Sequence, residues 1–120
     1  AQVPDANVVL AGAMASFGVV PVAFGGDPAR WAEQLDVVLG WGAVVVPGHG
    51  PIGGAAEVHE LQAYLRACVS ADGDPAAVAD GPWQTWADRR FHESNVERAA
   101  MLRAGDPSPP PSALALMGLT

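Results

Sequence analysis

The sequence has one cysteine, few basic residues and no long apolar run. Cys68 is the only cysteine in 120 residues, so the chain has no internal disulfide and no zinc site built from cysteines. Lysine is absent, the 6 basic residues are all arginines, and the formal net charge is -7, which argues against binding to a phosphate backbone. No apolar run reaches the ~20 residues that a membrane helix needs. We therefore expect no nucleic acid and no membrane among the partners.

The N-terminal stretch also lacks the charge of a secretion signal. The first basic residue is Arg30, so no positively charged region precedes the apolar start of the chain. This absence favours a cytoplasmic location. The chain begins with Ala1 rather than methionine, and we expect it to be a processed product or a piece of a longer protein.

The sequence does contain enough apolar material for one small folded domain. Hydrophobic residues make up 50% of the chain, which predicts a globular rather than a disordered protein. Residues 1–105 are expected to contain this domain. Residues 106–120 are predicted to be a proline-rich linker followed by an apolar tail, which either docks as a helical turn or binds a partner.

A short stretch over residues 43–51 carries the strongest indication of a site. Residues 43–46 are apolar without polar alternation, which predicts a buried strand. Pro47 cannot continue a strand ladder, so the strand is expected to end there. His49 follows between two glycines, which allow a tight loop. The pattern places one imidazole at the carboxyl end of a strand, where the ligands of α/β proteins usually lie.

The segments before this stretch predict a strand, a loop and a helix. Residues 8–12 form a short apolar run typical of a strand. Residues 13–26 are apolar, carry no charge and are interrupted by glycine and proline, so we expect an exposed loop that needs cover from another surface. Asp27 and Pro28 are typical of a helix start, with Asp27 as the N-cap. The order of strand, helix and strand predicts a layered α/β fold.

Two further helices are predicted after the histidine loop. Residues 56–70 carry apolar side chains at helical spacing. Ser94 and Glu97 have the spacing of a capping box, which predicts a last helix from Ser94 to Ala104.

The other two histidines and Asp27 have structural explanations. Asp27 is interpreted as an N-cap, with a carboxylate ligand as the less favoured alternative. His59 is expected on a polar helix face together with Gln62. His92 is interpreted as a residue at a helix start, with a general base as the alternative.

Cys68, Trp83 and Trp86 each have a structural and a functional interpretation. Cys68 falls on the apolar stripe of its helix, and this position favours a buried thiol over a nucleophile. Trp83 and Trp86 are expected to pack beneath a helix, with the lining of a substrate pocket as the alternative.

Three features of the chain recur together in one protein family. They are the loop Val-Val-Val-Pro-Gly-His-Gly-Pro at residues 44–51, an upstream strand that ends in Ala-Gly at residues 11–12, and Asn-Val-Glu-Arg at residues 95–98 of the last predicted helix. With these features the chain resembles the C-terminal half of metallo-β-lactamase-fold hydrolases over residues 3–119. The resemblance implies a layered α/β fold that is half of an αββα sandwich, and it assigns His49 to the family's final metal-ligand position.

The same resemblance implies a dinuclear zinc centre between two half-domains. The family's N-terminal half brings a His-X-His-X-Asp-His motif and a further histidine, and its C-terminal half brings a bridging aspartate and a final histidine. In this sequence Ala13 stands at the aspartate position, and the His-X-His-X-Asp-His motif is absent. A catalytic zinc generally has three protein ligands. We therefore expect the isolated chain to bind no zinc and to be inactive.

Two functions follow as hypotheses. In the first, the chain is part of a hydrolase, and an N-terminal half-domain completes a metal site that hydrolyses an ester, thioester or amide-type bond. In the second, the chain is a binding or dimerisation module with a degenerate metal site, and it forms an oligomer through its exposed sheet face. Ala13 favours the second hypothesis, whereas the intact loop around His49 favours the first.

Overall fold

The computed structural model describes residues 2–3, 8–21, 23, 26–41, 44–116 and 118, and at residues 2, 3, 8–16, 39, 41 and 49 it describes the backbone. The strands are β1 (Gln2–Val3), β2 (Val8–Ser16) and β3 (Val44–His49). The α-helices are α1 (Pro28–Trp41), α2 (Ala55–Ser70), α3 (His92–Arg103) and α4 (Pro111–Leu116). Between α2 and α3 lie three short 3₁₀ helices, Pro75–Ala77, Pro82–Thr85 and Arg89–Phe91. The chain is a small domain of mixed helices and strands.

The strands form one sheet in the order β1-β2-β3. β1 pairs with β2 in the antiparallel sense, whereas β2 and β3 are parallel and are joined through α1. A parallel pair needs such a crossover, because its second strand must start at the same end of the sheet as the first. The predicted order of strand, helix and strand is therefore confirmed, and both parallel strands end at the same edge of the sheet.

Helix α1 starts where the sequence predicts. The Asp27 carboxylate accepts hydrogen bonds from the backbone N–H groups of Ala29 and Arg30 at 3.1 and 3.3 Å. These two N–H groups have no partner within the helix, so the side chain acts as an N-cap. Leu35 and Val38 lie three residues apart and are fully buried.

Helix α2 packs against α1 through a layer of buried side chains. Val58, Leu61 and Leu65 are fully buried at helical spacing. Gln62 was expected on a polar face with His59, but it is only 2% exposed, so this part of the prediction is wrong. Its amide nitrogen donates to the Ala32 carbonyl at 2.9 Å and to the Asp36 carboxylate at 2.8 Å. Both partners lie on α1, and these bonds make the burial of the amide possible.

Both strands are longer than the sequence predicts. β2 continues through Ala13 to Ser16, and β3 includes Pro47 and ends at His49. The prediction that Pro47 ends the strand is wrong because β3 is an edge strand of the described sheet. The backbone N–H of Val45 points away from β2 and donates to Gly53 at 2.8 Å. Two residues later, Pro47 has the same orientation, so its missing N–H costs the sheet no bond.

The segment after β2 is also different from the expected exposed loop. Phe17, Val20 and Ala23 are only 3%, 3% and 1% exposed, and they belong to the hydrophobic core. The segment is therefore covered by the chain itself. Val22 and Phe24 belonged to the same prediction, and they lie outside the described residues.

The C-terminal part of the fold is a pair of packed helices. α3 starts at His92, so the predicted capping box is wrong: Ser94 lies inside the helix, is fully buried, and its hydroxyl lies 3.0 Å from that of Ser112. α4 packs against α3 and buries Ala113 completely. Within the ranges described above, no helix combines the length and the apolar character that crossing a bilayer requires.

Candidate functional site

The carboxyl ends of β2 and β3 bring together the two positions that the resemblance assigns to metal ligands. In the register of the two strands, Gly12 is opposite Pro47 and Ser16 is opposite His49. Ala13 lies between these two pairs on β2. The backbone of His49 is therefore at the sheet edge that the sequence predicts, beside the strand that carries Ala13. The side chain of His49 lies outside the part of the chain that the structure describes.

The turn after His49 depends on a glycine. Gly50 has a φ of 91°, a left-handed backbone angle that L side chains rarely adopt. A Cβ atom at Gly50 would also collide with the backbone carbonyl of Phe17. The absence of a side chain therefore lets the loop after β3 lie directly on the segment after β2, and this contact helps to define the position of His49.

The described side chains offer no complete metal site. No three His, Cys, Asp or Glu side chains among them are close enough to hold an ion. His59 is exposed on α2, and its Nδ1 atom lies 3.2 Å from the Gln62 amide oxygen. Asp27 is occupied as the cap of α1. Ala13, which has no donor atom, stands where the resemblance places the bridging carboxylate. The donors among the described side chains therefore do not fit a dinuclear zinc centre.

A second polar group lies inside the core, around Tyr64. The Tyr64 ring is fully buried, and its centroid lies 6.0 Å from that of Trp83 and 5.4 Å from that of Trp86. Both tryptophans are 7% exposed, as expected for aromatic packing beneath a helix. Burial raises the pKa of Tyr64, so its hydroxyl keeps its proton at neutral pH.

His92 is the hydrogen-bond partner of this hydroxyl. Its Nδ1 atom lies 2.8 Å from the Tyr64 oxygen, which is a hydrogen-bond distance. Burial lowers the pKa of His92, and the nearby Arg89 guanidinium lowers it further. The ring borders a cavity of about 180 Å³ that Arg89 also lines. His92 is the first residue of α3, and its lowered pKa favours the neutral imidazole.

The environment of Cys68 keeps its thiol protonated. Its side chain is fully buried, and burial raises the pKa of its thiol to about 11. A thiol with so high a pKa carries almost no thiolate at neutral pH, and the thiolate is the nucleophilic form. The prediction of a buried structural thiol is confirmed.

Sequence reasoning missed the role of Asn95, which was singled out only as part of the Asn-Val-Glu-Arg stretch. Asn95 is fully buried on α3, and its amide bonds the segment after β2. The Oδ1 atom accepts from the Ala23 N–H at 2.9 Å, and the Nδ2 atom donates to the Pro21 carbonyl at 2.7 Å and to the Tyr64 hydroxyl at 3.2 Å. The available signal was a polar residue at helical spacing from the apolar Phe91 and Ala99, because a buried amide needs partners.

Comparison with known proteins adds no family assignment. Neither protein-family models, nor curated proteins, nor solved structures match this chain.

Replacing Gly50 by alanine should destabilise the fold more than the same change at Gly18. Both glycines have left-handed backbone angles, which cost an L-residue about 1–2 kcal/mol. Gly18 has open space around its Cβ position, whereas Gly50 faces the Phe17 carbonyl. Urea denaturation should therefore give a larger loss of unfolding free energy for Gly50→Ala than for Gly18→Ala. Equal losses would contradict the close contact between the two loops.

The stability of the chain should fall as the solution is acidified through the titration range of His92. The pKa of this imidazole is lower in the folded state than the value of about 6.5 expected after unfolding. Between these two values the unfolded chain binds more protons, so the stabilising effect is complete above about pH 6.5 and is lost as the pH falls toward the folded-state pKa. Urea denaturation from pH 8 to pH 5 measures this dependence.

Two variants assign the acid sensitivity to its source. His92→Gln should flatten the pH profile, because a glutamine does not titrate. His59→Gln, at an exposed histidine, should keep the profile of the unmodified chain. A profile that is as steep in His92→Gln as in the unmodified chain would refute the assignment.

Proposed function

We propose that this chain is the C-terminal half of a metallo-β-lactamase-fold hydrolase. In this proposal its sheet and helices form one sheet layer and one helix layer of an αββα sandwich. The chain contributes His49 to a metal site at the carboxyl edge of β2 and β3. An N-terminal half-domain supplies the remaining metal ligands and the second pair of layers. The reaction class is hydrolysis of an ester, thioester or amide-type bond.

The observation that carries this proposal is the apolar character of both faces of β3. Val45 is fully buried in the core that α1 and α2 form over the sheet. Its neighbour Val44 points to the opposite face, because successive strand residues alternate, and it is 40% exposed. A strand that is apolar on both faces is typical of a sheet covered on both sides. A second layer over the Val44 face is the arrangement that an αββα sandwich provides.

The chemistry would need the partner half. When a complete set of ligands holds zinc, the metal lowers the pKa of a water toward neutrality and polarises the bond to be hydrolysed. This chain would hold the backbone of His49 at the sheet edge through the turn at Gly50 and the contact with Phe17. Ala13 supplies no bridging group, so the metal set of this protein differs from the family pattern at that position.

The alternative is a non-catalytic binding or dimerisation module. The exposed side chain of Val44 also favours this function, because two copies of the chain can cover each other's sheet face. Ala13 supports it further, since loss of the bridging ligand is expected once a metal site no longer has a role. The two functions differ in what precedes Ala1 in the coding sequence: an in-frame His-X-His-X-Asp-His motif supports the hydrolase, and a start codon supports the module.

The isolated chain is expected to bind zinc weakly and to have no hydrolase activity. One imidazole without further protein ligands gives no stable catalytic zinc site. Isothermal titration calorimetry with zinc, together with assays on ester, thioester and β-lactam substrates, measures both properties, with His49→Ala as the control. Sub-micromolar zinc affinity that disappears in His49→Ala would show that the chain carries further ligands and would overturn the expectation.

The exposed sheet face should make the isolated chain self-associate. Sedimentation equilibrium at micromolar concentration is expected to give a mass above that of the monomer, and Val44→Glu should return the chain to the monomer, because a carboxylate opposes burial. Val37→Glu is the matched control, since Val37 is 52% exposed on α1, away from the sheet face. A monomeric unmodified chain, or an equal effect of both variants, would count against a docking role for this face.

A further inference from the structure

We infer that Asn95 is a positioning residue for His49, acting through the segment between β2 and α1. This inference rests on the proposed function for the meaning of His49 as a metal ligand. Its physical content is independent of that function: removal of the Asn95 amide should move the backbone of the histidine loop. Asn95 itself lies on α3 and bonds residues 21 and 23.

The partners of the Asn95 side chain fix the orientation of its amide. Its oxygen accepts from a backbone N–H, and its nitrogen donates to a backbone carbonyl and to the Tyr64 hydroxyl. Rotation of the amide by 180° would put its NH₂ group against the Ala23 N–H and its oxygen against the Pro21 carbonyl, which satisfies neither. The Tyr64 hydroxyl oxygen has two lone pairs and accepts from the Asn95 nitrogen. The amide therefore holds Pro21 and Ala23 in one arrangement.

Backbone contacts connect Pro21 and Ala23 to the loop that carries His49. The segment is bonded on its way back to β2 by residue 87, since the Val20 N–H donates to the Ala87 carbonyl at 2.8 Å and the Ala87 N–H donates to Gly18 at 3.0 Å. Phe17 then contacts Gly50, the residue after His49. Ser16, the last residue of β2, is the register partner of His49. Asn95 and the histidine loop thus hold opposite ends of one short segment.

The described part of this segment is irregular backbone that is largely buried. Residues 17–21 and 23 belong to no helix or regular strand, yet Phe17, Val20 and Ala23 are buried. Buried backbone polar groups need partners, and side chains supply them where no ladder does. A displacement of Pro21 and Ala23 would therefore reach Phe17 and the turn at Gly50, because Val20 between them is buried and the backbone of Gly18 and Val20 is bonded to Ala87.

The experiment compares Asn95→Ala with Gln62→Ala by NMR and amide hydrogen exchange on the full chain. Each change removes a buried amide that donates to one backbone carbonyl, which is Pro21 for Asn95 and Ala32 for Gln62. The partners of the Gln62 nitrogen lie on α1, away from the histidine loop. We expect Asn95→Ala to shift the amide signals of Phe17, His49 and Gly50 and to speed their exchange about tenfold through local opening. Gln62→Ala should leave these signals in place while it lowers global stability to a similar degree.

Two further outcomes keep the test decisive. Tyr64→Phe keeps the ring and removes only the hydroxyl that accepts from Asn95, so it should shift the same signals to a smaller extent. This variant replaces Asn95→Ala in the comparison if Asn95→Ala does not fold. Unchanged signals of His49 and Gly50 in both variants, or equal shifts in Gln62→Ala, would overturn the inference. Because no metal is added, a negative result here leaves the proposed function untouched, and a negative zinc titration leaves this inference untouched.

Discussion

The structure depends on burying a stretch of irregular backbone between β2 and α1. Phe17, Val20 and Ala23 supply apolar side chains for the core, but their backbone groups would be costly to bury without partners. Asn95 and Ala87 supply those partners from distant parts of the chain. The buried hydroxyl of Tyr64 accepts a hydrogen bond from the Asn95 amide and lies 2.8 Å from the His92 Nδ1 atom. One hydrogen-bonded group thus joins α2, α3 and the carboxyl edge of the sheet.

This arrangement explains why the aromatic residues and the ionisable residues of the core are found together. Tyr64 can be buried because its hydroxyl has two partners, and Trp83 and Trp86 exclude water around it. The same exclusion of water raises the pKa of the Cys68 thiol and lowers that of the His92 imidazole, so each group is held in its neutral form. These residues have the composition of an active site, but their protonation states are those of a structural core.

The sequence was informative at Asp27 and Cys68, where neighbouring residues decide the structure. Asp27 caps α1 because the groups it bonds lie two and three residues away. Cys68 is buried because the periodicity of its own helix places it inside. Pro47 was misread because its effect depends on whether β3 has a neighbour on its outer side, which the sheet order decides. Asn95 was missed for the same reason: its partners lie 72 and 74 residues away in the sequence.

The glycine turn beside His49 is evidence about packing and not about chemistry. A turn like the one at Gly50 persists whenever packing requires it, because a side chain there would collide with Phe17 whether or not a metal is bound. Glycines around a histidine are therefore weak evidence for catalysis in this chain. The apolar residues on both faces of β3 are evidence of another kind, because Val44 has no role in the folding core formed by Val45, α1 and α2. The exposed valine beside a fully buried one leaves an apolar surface that the covering layer of either proposed function, a completed hydrolase or a self-associating module, would bury.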